Sequence, residues 1–276
     1  MEQQYLDLLA QLLEAPHKED RTGTGTRVLF GHQLRFDLQK GFPILTTKFV
    51  PLKSIVAELL WFISGSTNNN DLLKRGSTIW NEWADENGEL GKIYGHQWRD
   101  FGSKSRWVGD STTGWSLLKT GGFDQLEWLI KEIKANPTSR RLYVTASNPQ
   151  DKGDQALDTC HNYFQVVIIG NKLNLLFRMR STDVFLGLPF NIASYAVLAH
   201  MLALETGYDV GELVYQGCDV HLYENHIEQA KQQLKNKPFN FPKLNINKKQ
   251  FFDYVEDDFS LDLYIHHGKI NAPVAV

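Results

Sequence analysis

Apolar positions change their period several times along this chain, and each change marks an element. Leu6, Leu8, Leu9, Leu12 and Leu13 recur at helical spacing and predict a first amphipathic helix. The run Asp20-Arg-Thr-Gly-Thr-Gly-Thr26 then interrupts the pattern as a glycine-containing loop. Residues 28–30 and 34–36 predict short strands. Leu52, Ile55, Val56, Leu59 and Phe62 predict a second helix, with Glu58 beside its apolar stripe. Residues 102–122 are rich in Ser, Thr, Gly and Lys and are expected to be a loop insertion. Asp124 opens a helix through Leu126, Leu129, Ile130 and Ile133, closed by Asn136-Pro137.

The second half is richer in strands. Residues 142–145, 163–169 and 173–179 predict three of them. In the last, Leu173, Leu175, Phe177 and Met179 alternate with Asn174, Leu176, Arg178 and Arg180, so one face is the more polar. An apolar, buried helix is expected over 192–204, a strand over 213–215 and a helix over 222–234. Short strands are expected near Leu244 and over 259–264. Helices and strands mix without strict βαβ alternation, which predicts an α+β fold and one domain over residues 1–276.

Composition narrows the class. At 276 residues, with 42% apolar and 22% charged residues, the chain can bury a substantial core and is too apolar for disorder. A net charge of -3 argues against nucleic-acid binding through a bulk basic field, while leaving room for a local basic pocket. Two cysteines make no disulfide framework. The start, Met1-Glu-Gln-Gln-Tyr-Leu, lacks the basic and apolar run of a signal peptide, and no apolar stretch is expected to reach the roughly 20 residues of a membrane span. The expectation is a soluble protein of a reducing compartment, the cytoplasm, with free thiols.

Candidate chemistry concentrates in Arg180-Ser-Thr-Asp-Val-Phe-Leu-Gly-Leu-Pro-Phe-Asn191, downstream of Cys160-His161. A cation, a hydroxyl, a carboxylate and a carboxamide can together hold a phosphate and read the edge of a heterocycle, which the upstream thiol could attack. A lone cysteine is more often a small buried hydrophobe, but Cys160 has polar flanks in Asp158, Thr159 and His161. It needs nearby positive charge to react as thiolate, and Arg180 could supply it. Cys160, His161, Cys218, His221 and His226 also suggest zinc, yet neither CxxC nor HExxH occurs, so no metal is expected. Arg21, Arg140, Arg141 and Arg180 stand beside polar residues at element ends, as surface charge or as a forked phosphate cradle. Trp80, Trp83, Tyr94 and Trp98 form either core or a stacking wall for a planar molecule. Glu58, in an apolar helix, must be paired, hydrated in a cleft, or raised in pKa for proton transfer.

In this order the motifs resemble folate-dependent, cysteine-nucleophile thymidylate synthases nearly end to end. The resemblance rests on Asp20-Arg-Thr-Gly-Thr-Gly-Thr26, Gly41-Phe-Pro-Ile-Leu-Thr-Thr-Lys48, Glu58-Leu-Leu-Trp-Phe62, Ile79-Trp-Asn-Glu-Trp-Ala-Asp-Glu-Asn87 and Tyr94-Gly-His-Gln-Trp-Arg99. Ser139-Arg-Arg141, Cys160-His161, residues 180–196, Asp219-Val-His-Leu-Tyr223 and Ala272-Pro-Val-Ala-Val276 complete it. It implies a large twisted mixed sheet flanked by helices, whose back face pairs two subunits of a homodimer. It implies dUMP as acceptor and 5,10-methylenetetrahydrofolate as co-substrate, without membrane or nucleic-acid partners.

By the same resemblance Cys160 adds to uracil C6, Glu58 organises proton transfer, Tyr94 assists removal of the C5 proton and Asn191 reads the base. Arg21, Arg180 and Ser181, with Arg140 and Arg141 from the other subunit, hold the phosphate, and His221 and Tyr223 the ribose hydroxyl. The folate site takes Lys48 at its glutamate tail, Asp183 at the pterin, and Ile79, Trp80, Trp83, Leu157, Gly187 and Phe190 as lining. Ala275 and Val276 close over it. Several positions depart from the usual pattern: Phe49 and Thr159 replace arginine and proline, and Met179, Ser147 and Cys218 replace glutamine, tryptophan and glycine. The implied activity is reductive methylation of dUMP to dTMP. The alternative is dUMP hydroxymethylation, in which water rather than hydride captures the methylene.

Overall fold

Alternating apolar residues build one six-stranded sheet in the computed structural model, which describes residues 1–110 and 114–274 and, over 105–119, the backbone alone. Its strands are β1 (His17–Lys18), β2 (Thr26–Asp37), β5 (Tyr143–Thr145), β6 (His161–Ile169), β7 (Lys172–Asp183) and β8 (Asp209–Tyr223), in the order β1-β2-β8-β7-β6-β5. Neighbours are antiparallel except β7 and β8, which are parallel. A parallel pair needs a crossover, supplied here by α6 (Gly187–Thr206). The architecture is mixed α+β, as the patterning predicts.

One face of the sheet is covered. Leu173, Leu175, Phe177 and Met179 of β7 are buried, and Phe177 stacks on Tyr195 of α6 at 4.3 Å. Helix α1 (Gln3–Leu13) packs against β2 and helix α2 (Leu52–Ile63) against α6. The other face is open and carries Phe30 (91% exposed) and Ile169 (65%), together with Tyr143 and Val167.

Several elements differ from the sequence expectation. The strands expected at 28–30 and 34–36 are one strand, because β2 stays in register with β8 on both sides of Gly31. The strand expected at 213–215 runs over all of β8: it lies between β2 and β7, and ladders on both edges extend it through polar residues. Leu222 and Tyr223 therefore end a strand, and the helix expected there is the shorter α7 (Ile227–Gln233). The stretch 102–122 contains a hairpin, β3 (Lys104–Asp110) and β4 (Gly114–Thr120), closed at its base by the Phe101–Phe123 bridge. Two six-residue helices, α3 (Asn69–Lys74) and α4 (Tyr94–Arg99), are too short to show a helical period. The tail pairs β9 (Lys243–Ile246) with β10 (Phe259–Asp262). Contrary to the composition reading, α6 is long and apolar enough to cross a membrane; 72% of its apolar window is buried within the protein, as befits a core helix apolar all round.

Candidate active site

The site forms where β6 begins beside the end of β7. The Arg180 amide donates to the Cys160 carbonyl at 2.9 Å, which fixes the two segments side by side. The Arg180 guanidinium folds back over this corner. Its Nε donates to the Thr159 carbonyl (3.0 Å) and its Nη2 to the Asp158 carbonyl (2.6 Å), which leaves Nη2 3.8 Å from Cys160 Sγ. The spatial condition for activating Cys160 is thus met. Burial pushes the thiol pKa up, while the Arg180 charge and the Tyr94 hydroxyl pull it back.

Tyr94, the first residue of α4, accepts the Cys160 amide N–H at 2.7 Å. Its ring stacks on His161 at 3.9 Å and 11°, and His161 Nδ1 lies 2.9 Å from the Tyr195 hydroxyl. Burial lowers the His161 pKa to about 3, so this imidazole is neutral and serves as a spacer between two phenols. Burial also raises Tyr94 well above the ordinary phenol value, which keeps its proton available for relay. Glu58 sits mid-way along α2 with its carboxylate accepting Trp80 Nε1–H at 2.6 Å. Burial raises its pKa to about 7 against the opposing effect of that bond. A carboxyl poised near neutrality can both give and take a proton.

The rim gathers most of the remaining candidates. The β7–β8 register sets Asp183 opposite His221 and Ser181 opposite Asp219. Asp183 Oδ1 accepts the Phe185 and Leu186 amides where α6 begins, at 2.9 and 3.2 Å. A Cβ at Gly187 would lie 3.7 Å from Asp183 Cβ and 3.8 Å from Asn191 Oδ1, so these three line one corner. Burial raises the Tyr223 phenol to about 12, helped by Asp183 and Asp20 and opposed by Arg21; Thr26 pairs with Tyr223, which puts the preceding Asp20-Arg21 loop at the same rim. Trp80 is buried with Trp83 edge-on at 5.6 Å, while Ile79, Trp83, Leu157 and Phe190 are half-buried against the core. Of these, Trp80 borders Glu58 directly.

Three expectations fare differently. Arg140 and Arg141 are exposed at the far end of β5, whose Tyr143 pairs with Gln165. Gln165 lies five positions along the chain from Cys160, about 16 Å, so these arginines do not reach the Cys160 thiol. Lys48 points inward: its ammonium donates to the Phe185 carbonyl and sits 3.6 Å from the Phe185 ring centroid. Burial pulls its pKa down to about 7, with Asp183 opposing. Only a changed rotamer would bring Lys48 to a folate tail. Ala275 and Val276 lie outside the described residues.

The tail before them is held. His226, buried, lies with Nε2 2.7 Å from the Pro273 carbonyl, which can only accept, so Nε2 carries the proton. Phe49 packs against His266 with the rings tilted at 48° and their centroids 4.8 Å apart, and its amide donates to the Gly268 carbonyl at 2.7 Å. The sequence assigned no role to Tyr195 or Asp219, suggested His226 only for zinc, and offered His161 only for zinc and as a polar flank of Cys160. The Asp219-x-His221 spacing on a strand was the one available signal, since it puts both side chains on one face. A family model described as thymidylate synthase matches residues 3–276, and so includes every site residue named above.

Proposed function

The chain belongs to the thymidylate synthase family of one-carbon transferases in nucleotide biosynthesis, and on that premise we propose that it converts dUMP to dTMP by reductive methylation. The co-substrate 5,10-methylenetetrahydrofolate supplies both the carbon and the hydride and leaves as dihydrofolate. The observation that carries the reading is the Cys160 thiol set 3.8 Å from the Arg180 guanidinium, next to a proton-relay tyrosine.

Cys160 attacks C6 of the uracil ring as thiolate, and the electron pair passes to C5 and O4. Arg180 favours the thiolate and, with Ser181 and Arg21, holds the phosphate that fixes the ring above the sulfur. Asn191 can donate and accept at once, so its carboxamide pairs with N3–H and O4 and stabilises charge developing there. Glu58 manages protons at O4 through its near-neutral carboxyl. Tyr94 relays the C5 proton out as the folate leaves the carbon it has given to C5, and Cys160 leaves C6 once the co-substrate's hydride has reached that carbon. Trp80, Trp83, Leu157 and Phe190 supply apolar and aromatic surface suited to a planar pterin, Asp183 offers a carboxylate acceptor, and the missing side chain at Gly187 leaves room beside Asp183 and Asn191.

The phosphate site is completed by a second copy. Arg180 also borders a depression of about 580 Å³ on the open sheet face, lined by His32, Arg178, Gln216 and Cys218. A second subunit seated there brings its Arg140 and Arg141 to this phosphate, which their own fold keeps away from it. Mixed dimers of Cys160→Ala and Arg140→Ala subunits should then regain activity that neither parent has.

Hydroxymethylation remains the competing outcome because Phe49 cannot make the ion pair an arginine would offer the C-terminus. The His226–Pro273 bond favours the synthase, since it ties the chain just ahead of Ala275 and Val276 to the core by another route, and a C-terminus closed over the site would exclude water from the methylene. Incubation with dUMP and the folate should give one dihydrofolate per dTMP by absorbance and product mass. A product heavier by one oxygen, with tetrahydrofolate left unoxidised, would assign the hydroxymethylase.

A further inference from the structure

Asp219 lies two residues before His221 on β8, and the two side chains share a face of the strand. His221 Nδ1 is 2.8 Å from Asp219 Oδ1, and the second carboxylate oxygen is paired with Lys18 from β1. Asp219 is held at a pKa of about 2, first by its bond to His221 and further by Lys18, with burial opposing. It is therefore an anion, and an anionic carboxylate only accepts hydrogen bonds. The proton of the pair must sit on His221 Nδ1. In the neutral ring Nε2 is then a bare lone pair, and His221 is buried against the Asp183 end of β7, on the rim of the site.

We propose that Asp219 is a positioning residue that fixes the tautomer of His221, so that Nε2 accepts a hydrogen bond from the ribose 3′-hydroxyl and the site selects nucleotides carrying a free 3′-OH. This rests on the reading of the site as one for dUMP. The opposite tautomer would present an N–H to the hydroxyl, which also accepts, so a ring free to choose would discriminate less. A fixed acceptor penalises a 3′-deoxy ligand by leaving a desolvated lone pair unpaired. It also penalises any 3′-substituent that is itself only an acceptor. Lys18 keeps the carboxylate from turning away.

The test compares two ligands on the full-length protein, dUMP and 2′,3′-dideoxyuridine 5′-monophosphate, by calorimetry. Wild-type protein should bind the dideoxy nucleotide about tenfold more weakly than dUMP. Asp219→Ala should weaken dUMP by a similar factor and leave the dideoxy ligand within about twofold. Asp219→Asn, whose amide oxygen still accepts the Nδ1 proton, should keep most of the discrimination. Equal losses for both ligands would overturn the proposal, because Asp219 would then be acting on the fold or the phosphate field. If Asp219→Ala does not fold, nitrogen-15 spectra of the wild-type histidines decide, with His221→Gln for assignment. An Nδ1–H tautomer supports the inference and an Nε2–H tautomer sinks it. Wild-type protein that binds no dUMP at all would refute the functional reading itself, and this inference with it.

Discussion

At the scale of single residues the site runs on buried groups whose charge state is set by their neighbours. Glu58 shows the consequence most plainly. Its folded pKa of about 7 lies above the ordinary value of 4.5, so folding favours the protonated carboxyl. Below pH 4.5 it is protonated in both states and folding pays nothing. As pH rises from 4.5 to about 7 the unfolded chain ionises while the folded one keeps its proton, so the cost grows to about 3 kcal/mol and levels off above. Glu58→Gln should therefore stabilise the protein by up to that amount at pH 8 and by almost nothing at pH 4, as denaturant titrations at the two pH values would show. The same change should cut turnover about a hundredfold or more, because a carboxamide cannot shuttle protons. Glu58 was legible in the sequence because a carboxylate in an apolar helix stands out, and Cys160 and Arg180 because polar residues flank them. Asp219, His226 and Tyr195 were not, because their importance comes from a partner distant in sequence or from a face that only strand pairing defines.

Elements bring these residues to one corner, and their joints are where the arrangement is most exposed to change. Gly91 bridges Gln155 and so ties the segment leading into α4 to the one leading into Cys160. Its φ is 71°, and a Cβ there would fall 1.7 Å from the Asp154 carbonyl oxygen. Gly91→Ala should destabilise by about 3–5 kcal/mol. That corresponds to a fall in Tm of about 10 °C, accompanied by loss of turnover as Tyr94 shifts from the Cys160 amide; an unchanged Tm would contradict this joint. Helices with a clear apolar stripe, such as α2 and α5 (Gln125–Ala135), were readable from periodicity within a residue or two. Strand β8 was readable only at its apolar centre. Its outer residues are strand because β2 and β7 pair with them, and no local propensity records that. The hairpin inside 102–122 was hidden by its Ser, Thr and Gly content.

For the whole molecule, one covered sheet face and one open face determine how it responds to acid and to a second copy. His200, on α6, is pushed by burial to a pKa of about 4, and its Nε2 has no hydrogen-bond partner among the described residues. A histidine lowered in the fold gives up stability as pH falls from 6.5 towards 4, where the unfolded chain takes a proton that the folded one refuses. His200→Gln should flatten the stability curve in that window by up to one proton, about 1.4 kcal/mol per pH unit. An unaltered slope in acid-unfolding titrations would place the sensitivity elsewhere. The open face, with Phe30 and Ile169 uncovered, is the surface on which the proposed second subunit would sit and to which Arg180 is adjacent. The proposed reaction depends on Cys160 forming a bond to the pyrimidine. Mass spectrometry of the protein denatured after incubation with 5-fluoro-dUMP and 5,10-methylenetetrahydrofolate tests that directly. A stable adduct carrying both ligands on the Cys160 peptide is the predicted result, and an unmodified Cys160 peptide would contradict it.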